Sequence, residues 1–292
     1  MNTVNAQQST VNLIECPRDA MQGWKGIIPT EKKIEYINSL LKAGFHTIDF
    51  GSFVSPKAIP QMADTKTVID GLQLDGTNTK LLAIVANVRG AEEASVYDKI
   101  TYLGFPFSIS ETFQQRNTKS SIKESLVRVE EIQNICLKKN IQLVVYMSMA
   151  FGNPYGDEYN DEILLKWSRE IMKRDIKIIS LADTVGIAEP EQISFALQAL
   201  IPNYPGINFG AHLHSTAKNW ENKLDAAFTS GCIRFDGALK GIGGCPMAND
   251  ELVGNMNTEW MIHYFKEKNL LPQLDFEALQ NSVSIAEEIF SA

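Results

Sequence analysis

The run Ile176-Lys-Ile-Ile-Ser-Leu-Ala182 is short and mostly apolar, and Phe209-Gly-Ala-His-Leu213 is the next run of the same kind. Between them, Pro190 suits the first turn of a helix, where its missing N–H leaves no hydrogen bond unmade. A strand, a helix and a second strand in this order form a unit whose two strands lie parallel in one sheet. This unit therefore predicts an α/β fold for the surrounding chain.

The same pattern continues on both sides of this unit. Six further apolar or β-branched runs are Val11 to Cys16, Thr47 to Phe50, Leu81 to Ala86, Ile100 to Phe107, Ile141 to Met149 and Cys232 to Leu239. Helical segments separate the runs: one is entered from Pro29-Thr30 and stops at Gly44, another opens with the capping box Ser121-Ile-Lys-Glu124, and a third ends at Gly231. Eight such units favour a TIM (β/α)8 barrel, with an open doubly wound sheet as the alternative.

Domain organisation follows from the length and from the lack of a linker. A chain of 292 residues has room for two average domains or one large barrel, and no Gly/Ser-rich or Pro-rich linker divides it. We expect a flexible N-terminus over residues 1–10 and a single catalytic barrel domain over 11–292. Within it, residues 274–292 form an appended C-terminal helical segment that covers the barrel, with apolar positions at Leu274, Leu279, Val283, Ile285 and Ile289.

Charge and cysteine usage restrict the partners and the compartment. The chain has 27 Lys and Arg against 35 Asp and Glu, a formal net charge of -8, which is the wrong sign for a nucleic-acid partner. The four cysteines show no Cys-x-x-Cys spacing, which favours a reducing cytosol without disulfides. The N-terminus lacks the pattern of a signal or transit peptide, and no apolar run reaches the ~18 residues of a membrane span. We expect a cytoplasmic protein with no membrane partner.

Two histidines point to a metal site. In a barrel, the active site lies at the carboxyl ends of the strands. His212 and His214 stand two residues apart on the seventh predicted strand, so both imidazoles point to the same side of the sheet. The chain contains four histidines in all, and two in this arrangement favour a shared metal ion over a pair of hydrogen-bonded interior residues.

Oxygen ligands are available on other segments that end at the same rim. Asp19 follows the first strand and offers a carboxylate, and Asn255, beyond the eighth strand, offers an amide oxygen. Two imidazoles, one carboxylate and one carbonyl oxygen suit an octahedral Mg2+, Mn2+ or Fe2+ with positions open for substrate, rather than a structural zinc. The expected cofactor is a divalent metal, in the first place Mg2+ or Mn2+.

Further polar residues end strands at this rim. Arg18 follows the first strand and is placed to face an oxygen that gains negative charge during a reaction. Asp49 lies on the second strand and Asp183 follows the sixth. Cys245 lies in the Gly-rich turn Gly241 to Pro246, which is more typical of a lid than of a phosphate cradle. The Cys245 thiol is either an acid or base, or an inert buried group.

Five motifs then identify a family. They are Pro17-Arg-Asp-Ala-Met-Gln22, Gly51-Ser-Phe-Val-Ser-Pro-Lys-Ala-Ile-Pro-Gln-Met62, Ser180-Leu-Ala-Asp-Thr-Val-Gly186, His212-Leu-His214 and Gly241-Ile-Gly-Gly-Cys-Pro246. In order along nearly the whole chain, they resemble the motifs of 3-hydroxy-3-methylglutaryl-CoA lyases. The Arg-Asp and His-x-His elements are shared with other metal-dependent lyase and synthase barrels. The Ser-Phe-Val-Ser-Pro-Lys run and the Gly-Gly-Cys-Pro loop are more particular to the lyases.

The resemblance implies a retro-Claisen cleavage of 3-hydroxy-3-methylglutaryl-CoA to acetyl-CoA and acetoacetate, with a divalent metal. It implies three groups of site residues: catalytic Arg18, Asp49, Asp183, His212 and Cys245; CoA-thioester-binding Gln22, Lys25 and Lys57; and metal-binding Asp19, His212, His214 and Asn255. In this scheme Arg18 stabilises the enolate oxygen of the departing acetyl thioester. His212 and Cys245 match positions of proton transfer and lid function.

The sequence departs from the family pattern at three places. Asp49 stands where Glu is usual, Ser215-Thr-Ala-Lys218 replaces a usual Asp-Thr-Tyr-Gly, and the stretch Ala248-Asn-Asp-Glu-Leu-Val-Gly254 contains less glycine. These differences concern the acyl group of the substrate more than the metal or the type of reaction.

Two alternative functions and one assembly state accompany this interpretation. The first alternative is a related aldolase, or an acyl-CoA Claisen synthase acting on a 2-oxo acid, although such synthases generally carry an added C-terminal domain. The second is a barrel that binds a metabolite without catalysis, against which the presence of Arg18, Asp19 and both histidines counts. The apolar C-terminal helix and the family resemblance favour a homodimer.

Overall fold

The computed structural model describes residues 10–244 and 253–291. Its sheet consists of eight parallel strands: β1 (Asn12–Glu15), β2 (Thr47–Ser52), β3 (Lys80–Ile84), β4 (Ile100–Ser108), β5 (Gln142–Ser148), β6 (Ile178–Ala182), β7 (Asn208–His212) and β8 (Arg234–Gly237). Each strand pairs with the next, and β8 pairs with β1, where Arg234 lies opposite Asn12. The sheet is therefore closed, which confirms the TIM barrel and rejects the open sheet.

Helices separate the strands and cover the outside of the barrel. They are α1 (Pro17–Gln22), α2 (Thr30–Ala43), α3 (Thr65–Gly71), α4 (Val88–Ala94), α5 (Glu111–Thr118), α6 (Ile122–Lys139), α7 (Asp161–Met172), α8 (Pro190–Leu200), α9 (Trp220–Thr229), α10 (Thr258–Glu267) and α11 (Phe276–Phe290). The helix signals are confirmed: Gly44 after α2 has a left-handed φ of 87°, Ser121 and Glu124 form the capping box of α6, and Pro190 begins α8.

Alternate residues of each strand pack on opposite sides of the sheet. Val145 and Met147 of β5 face outward into the large apolar core shared with the helices. Val144 and Tyr146 of the same strand face the barrel interior, where a small cluster also contains Tyr102 of β4. The interior is thus filled by side chains, as in other barrels of this kind. Ligand sites are therefore expected at the ends of the strands.

The last helix, α11, lies on the outer wall of the barrel beside α2. The Asp275 N–H donates to the Ala43 carbonyl at the end of α2 (3.0 Å), and Lys32 in the first turn of α2 contacts Glu288 (3.0 Å). The two helices therefore run antiparallel, and Phe290 packs edge-on against Trp24. The C-terminal segment covers the wall of the barrel, in line with the expected appended helix.

Two further features concern cysteines and membranes. Cys16, Cys136 and Cys232 are buried free thiols. Among the described helices, none combines the length and the apolar character that crossing a bilayer requires.

A buried carboxyl group, Glu15 of β1, joins the first strand to the segment after β8. Its Oε1 accepts a hydrogen bond from the Leu239 N–H (2.8 Å), and its Oε2 contacts the Thr258 hydroxyl (2.6 Å). Burial raises the pKa of Glu15 to about 8, although both hydrogen bonds act in the opposite direction. The folded protein therefore keeps this group protonated at neutral pH.

This raised pKa predicts a stability that depends on pH. Between the usual value of 4.5 and about 8, the unfolded chain releases the Glu15 proton while the folded chain retains it, so stability falls as the pH rises. The contribution is complete below about pH 4.5 and is lost as the pH rises through about 8. We expect Glu15→Gln to show a smaller fall in Tm than the wild type between about pH 6 and pH 9, measured by circular dichroism.

The exposed Glu92 provides the control for this prediction. Glu92→Gln should follow the wild-type curve, since this side chain is solvated in both states. Equal falls in Tm for Glu15→Gln and the wild type would contradict the prediction.

Candidate active site

A cavity of about 430 Å³ opens at the carboxyl ends of the strands. Its wall contains five of the residues that the sequence indicated: Arg18, Asp19, Gln22, His212 and His214. These side chains come from α1 and from the end of β7, segments almost 200 residues apart that the barrel brings to one rim. Apolar side chains such as Ile84 and Phe113 complete the wall, so the polar groups converge within a largely apolar pocket.

Arg18 lies between two carboxylates. Its Nη1 donates to Asp19 Oδ1 (2.7 Å), its Nε donates to Asp49 Oδ2 (3.0 Å), and its Nη2 donates to the same Asp49 oxygen. Burial opposes the charged form, but the two carboxylates outweigh it and raise the pKa of Arg18. For Asp49, burial is the dominant effect and raises the pKa to about 6, although the positive charge of Arg18 acts to lower it. The guanidinium is thus a fixed cation in the wall of the cavity.

The metal-ligand candidates form one cluster. Asp19, His212 and His214 each place a ligand atom within 4.8 Å of the others, and the two imidazole centroids are 5.5 Å apart. Burial, followed by the charge of His212, lowers the pKa of His214 to about 3. Although burial acts in the opposite direction, Arg18 and the two histidines lower the pKa of Asp19. His214 is therefore neutral and Asp19 ionised, the forms in which these groups bind metal ions.

Asn255 approaches this cluster from the segment after β8. Its Nδ2 donates to Asp19 Oδ2 (2.8 Å) and to the Ile242 carbonyl (2.8 Å), while its Oδ1 is buried and has no hydrogen-bond donor among the described residues. A buried carbonyl oxygen normally has a partner. Asn255 therefore brings an amide group with an unused oxygen to Asp19, and an amide oxygen, a carboxylate and two imidazoles together suit a divalent cation, so these residues fit a metal ion.

His212 is held from the barrel interior by Asp236. The Asp236 Oδ2 atom lies 3.2 Å from His212 Nδ1 and also accepts from the Ser180 hydroxyl (3.4 Å). Tyr146 packs edge-on against the His212 ring, with centroids 5.7 Å apart. Burial opposes protonation, but Asp236 outweighs it and raises the pKa of His212. A carboxylate on one ring nitrogen fixes the tautomer and increases the basicity of the other nitrogen.

Asp183 does not face the cavity but forms a buried ion pair with Lys223 of α9. Lys223 Nζ donates to Asp183 Oδ2 (2.7 Å), to the Gly186 carbonyl (3.0 Å) and to the His214 carbonyl (2.9 Å). Lys223 is 2% exposed and all three of its protons are used. It therefore ties the loop after β6 to the backbone of a metal-ligand candidate.

The remaining predicted residues lie in different places. Asp49 contacts Arg18 but lies behind it rather than in the cavity wall, and its shorter side chain still reaches the guanidinium. Lys25 and Lys57 are exposed and do not belong to the described wall of the cavity. Cys245 lies outside the described residues. Ser215, where the family more often has Asp, is buried beside Met256.

Sequence reasoning missed several groups that the fold brings to the site. Arg116 and Lys119, at the end of α5, line the mouth of the cavity. Their positions carried no recognisable signal. For Asp236 the sequence did contain a signal, because a charged residue on a predicted interior strand needs a partner. The sequence also contained a signal for Lys223, because this residue interrupts the apolar face that Leu224 and Ala227 form on α9.

A closed (β/α)8 barrel with a fixed arginine and a metal-ligand cluster at the carboxyl ends of its strands defines a metal-dependent barrel enzyme. The model of the HMGL-like family matches residues 11–285. The chain belongs to this family, and it is accordingly a carbon–carbon lyase.

Similar proteins include the hydroxymethylglutaryl-CoA lyase YngG of Bacillus subtilis, 32% identical over 275 residues, which are 93% of this chain and 90% of that protein. The rat cytoplasmic 3-hydroxy-3-methylglutaryl-CoA lyase is 32% identical over 274 residues, which are 93% of this chain and 79% of that protein. Among solved structures, an HMG-CoA lyase from Acinetobacter baumannii in complex with coenzyme A and 3-methylmalate has a TM-score of 0.90 and 29% identity. The similarity covers 98% of this chain and 93% of that one.

The buried pair of Lys223 and Asp183 yields a stability prediction. Lys223→Met leaves a carboxylate buried without its cation, which we expect to lower the free energy of unfolding by about 3–5 kcal/mol. Adding Asp183→Asn removes that charge and should restore part of the loss. Urea unfolding of the single and double variants measures both effects.

A solvated ion pair provides the comparison. Glu287, 56% exposed, contacts Lys240, and Glu287→Gln should change stability by less than about 1 kcal/mol. A Lys223→Met protein as stable as the wild type would show that the buried pair makes no net contribution.

Proposed function

We propose that this protein cleaves 3-hydroxy-3-methylglutaryl-CoA to acetyl-CoA and acetoacetate in a retro-Claisen reaction that depends on a divalent metal. The observation that carries the proposal is the single cavity wall formed by Arg18 and the cluster of Asp19, His212 and His214. Membership of the HMGL-like family, together with relatives named as lyases for this thioester, supports the substrate. The coenzyme A in the Acinetobacter structure supports a CoA-thioester ligand.

Asp19, His212, His214 and Asn255 are the residues that would hold the metal, which we take to be Mg2+ or Mn2+. The mixture of oxygen and imidazole donors without a thiolate in the described cluster favours these hard ions. When bound, the ion would orient the hydroxyl and carboxylate oxygens of the substrate and acidify that hydroxyl. Gln22 donates to Asp19 Oδ1 (2.6 Å) and so holds the carboxylate in place from within the cavity wall.

Arg18 would stabilise the charge that forms when the carbon–carbon bond breaks. As the hydroxyl oxygen of C3 becomes a ketone, the electron pair of the C2–C3 bond passes to the acetyl thioester as an enolate. The negative charge then rests on the thioester oxygen, and a fixed guanidinium is most effective at such an oxygen because it needs no reorganisation. Asp49 acts as a positioning residue, since two nitrogens of Arg18 donate to one of its oxygens.

Two proton transfers complete the reaction. The C3 hydroxyl must lose a proton, and the enolate carbon must gain one to become the methyl group of acetyl-CoA. For the first, His212 would help to hold the metal that acidifies the hydroxyl, with Asp236 on its other ring nitrogen, and the proton would pass to water in the cavity. The second we assign to Cys245, on the strength of its Gly-Gly-Cys-Pro motif. Asp183 is a positioning residue that acts through Lys223 on the backbone of His214.

The CoA portion of the substrate carries phosphates that need cations at the mouth of the cavity. Arg116 and Lys119 line this mouth, and Arg116 lies 4.5 Å from the centroid of the Tyr155 ring, which holds its side chain in place. We propose these two residues as the main phosphate contacts. Lys25 and Lys57, which are exposed, remain proposed as outer contacts of the same thioester.

We also propose that residues 11–292 act as one catalytic domain, that the protein is a homodimer and that it works in the cytoplasm. Phe276, at the start of the outer helix α11, is 48% exposed and is an apolar side chain of the kind that subunit contacts bury. Light scattering during size-exclusion chromatography should give twice the chain mass of 32.5 kDa. A mass of one chain would reject the dimer.

The proposed reaction is tested by a direct assay. Purified protein with Mg2+ and 3-hydroxy-3-methylglutaryl-CoA should release acetoacetate and acetyl-CoA in equal amounts, and a chelator should stop the reaction. The alternative substrates are a 4-hydroxy-2-oxo acid, and acetyl-CoA together with a 2-oxo acid. Turnover of either, with no acetoacetate from the first substrate, would replace the lyase with an aldolase or a synthase.

Two variants separate charge stabilisation from metal binding. Arg18→Met should lower kcat by at least about 10³-fold while metal content, measured by plasma mass spectrometry, stays unchanged. His214→Ala should lose both activity and metal. An active Arg18→Met enzyme would refute the role of Arg18, and unchanged metal content in His214→Ala would remove His214 from the metal site.

The mouth cations should affect substrate binding rather than the chemical step. Arg116→Met and Lys119→Asn should each raise KM by about tenfold with little change in kcat, because they contact the substrate equally in the ground and transition states. Asparagine suits the left-handed backbone of Lys119 (φ 53°) and keeps the local fold. A fall in kcat with unchanged KM would contradict a role in binding phosphate.

A further inference from the structure

The loop after β5, residues 149–160, leads from the carboxyl end of a barrel strand to α7. It begins beside the active-site cavity, where Ser148 lines the wall, and it contacts α5, the helix that brings Arg116 and Lys119 to the mouth of that cavity. The loop carries a carboxylate, Asp157, that has no part in the reaction proposed above. Because this carboxylate is bound to α5, its contacts bear on the position of the mouth cations.

Asp157 makes three hydrogen bonds with the start of α5. Its Oδ2 accepts from the Ser110 hydroxyl (2.5 Å) and from the Thr112 N–H (2.8 Å), and its Oδ1 accepts from the Thr112 hydroxyl (2.8 Å). Ser110 is itself the N-cap of α5 and accepts from the Phe113 N–H (3.2 Å). A carboxylate at this place satisfies a backbone donor that the helix leaves free and suits the positive end of the helix dipole. Asp157 is thus a second cap of α5, supplied by another loop.

The loop that carries Asp157 is itself held by specific contacts. The Asn153 side chain accepts from the N–H groups of Tyr155 (3.0 Å) and Asp157 (3.1 Å), and it donates to the Asp157 carbonyl (3.0 Å). At the start of the loop, the Met149 N–H donates to the Thr184 hydroxyl (2.9 Å), and Thr184 lines the active-site cavity. The loop therefore joins the rim after β6 to the first turn of α5.

The loop also contacts α5 one turn later, where the helix reaches the cavity. Phe113, Arg116 and Lys119 all line the cavity wall. The Tyr155 ring stacks on Phe113, with centroids 6.2 Å apart and 18° between the rings, and lies 4.5 Å from the Arg116 guanidinium carbon. The helix is thus held through Asp157 at its first turn and through Tyr155 near its cations. A shift of α5 would displace both cations.

We propose that Asp157 is a positioning residue for CoA binding, which acts through α5 by holding Arg116 and Lys119 where they meet the phosphates of the substrate. This inference rests on the CoA-thioester substrate proposed above. The sign of its effect distinguishes positioning from charge. A carboxylate near the mouth repels phosphates, so its charge alone would weaken binding and its removal would strengthen it. A positioning role predicts the opposite, since removal would release the helix that carries the cations.

Asp157→Ala tests this proposal in the metal-loaded protein. The KM for 3-hydroxy-3-methylglutaryl-CoA and the Kd for coenzyme A should both rise about fivefold, the scale of a lost capping contact, with little change in kcat. Steady-state kinetics and isothermal titration calorimetry measure these constants. The variant should keep its fold, since the Gln114 side chain still accepts from the Ser108 N–H (2.7 Å) and holds α5 to β4. Asp157→Asn retains an acceptor for the Thr112 N–H and should give intermediate values.

Two comparisons separate positioning from other effects. Glu158, the exposed neighbour of Asp157, contacts Asn160 in its own loop, so Glu158→Ala removes an equal charge and should change both constants by less than about twofold. In a protein that already carries Arg116→Met and Lys119→Asn, Asp157→Ala should cause no further rise, because changes that act through the same groups are not additive. A full additional rise in that background would overturn the proposal, as would an Asp157→Ala protein with an unchanged or lower KM.

The wild-type protein separates this inference from the function on which it rests. Calorimetry with coenzyme A needs no turnover, so it tests the role of Asp157 for any CoA thioester. A wild type that neither binds coenzyme A nor cleaves the thioester would overturn both proposals. A wild type that does both, together with an Asp157→Ala protein of equal Kd and KM, would overturn the positioning role alone.

Discussion

The ionic contact of Arg18 with Asp19 and Asp49 is the interaction on which the rim of this barrel depends. One guanidinium is buried against two carboxylates, and the nearby His214 is held neutral by burial. Arg18 thus offsets the charge of the carboxylates only in part, and the ionised Asp19 keeps its place beside the two histidines. An ionised carboxylate next to two imidazoles and the amide group of Asn255 is a set of groups that attracts a divalent cation. The acidic residues that determine the charge of the rim are therefore the same residues that make it suitable for a divalent metal.

The geometry of this cluster is fixed by polar contacts between its members and neighbouring residues. Lys223 holds the carbonyl of His214, Asp236 holds the ring of His212, and Gln22 holds the carboxylate of Asp19. The three contacts come from α9, from β8 and from within α1 itself. Side chains fixed in this way lose less freedom when substrate binds, which favours reaction geometry over adaptable binding. The same arrangement supports the proposed positioning role of Asp183, which does not face the cavity.

The sequence predicted the elements of this structure well and their long-range contacts poorly. The eight apolar runs fall on the eight strands, and the two-residue spacing places His212 and His214 in one cluster with their rings on the same side. Strand periodicity is local, so such patterns can be read from the chain itself. The pairing of Asp183 with Lys223, 40 residues apart, depends instead on how α9 packs against the loop after β6. The phosphate contacts proposed at the end of α5 depend likewise on the shape of the completed cavity.

Arg18 and Arg234 both carry a buried guanidinium, and the barrel balances the charges of these two groups in different ways. At the carboxyl ends of the strands, two carboxylates within hydrogen-bond distance make Arg18 a permanent part of the protein. At the amino ends, Arg234 is completely buried, and although burial opposes its charge, Asp236 on the same strand and the Tyr146 hydroxyl raise the pKa of Arg234. The second cation is therefore balanced inside the barrel, by a carboxylate that also contacts His212. Since Arg234 and Asp236 are alternate residues of one strand, their side chains lie on the same side of the sheet, and the charge of Arg234 lies beneath the carboxylate that orients His212, which gives the two ends of the barrel a physical connection through β8.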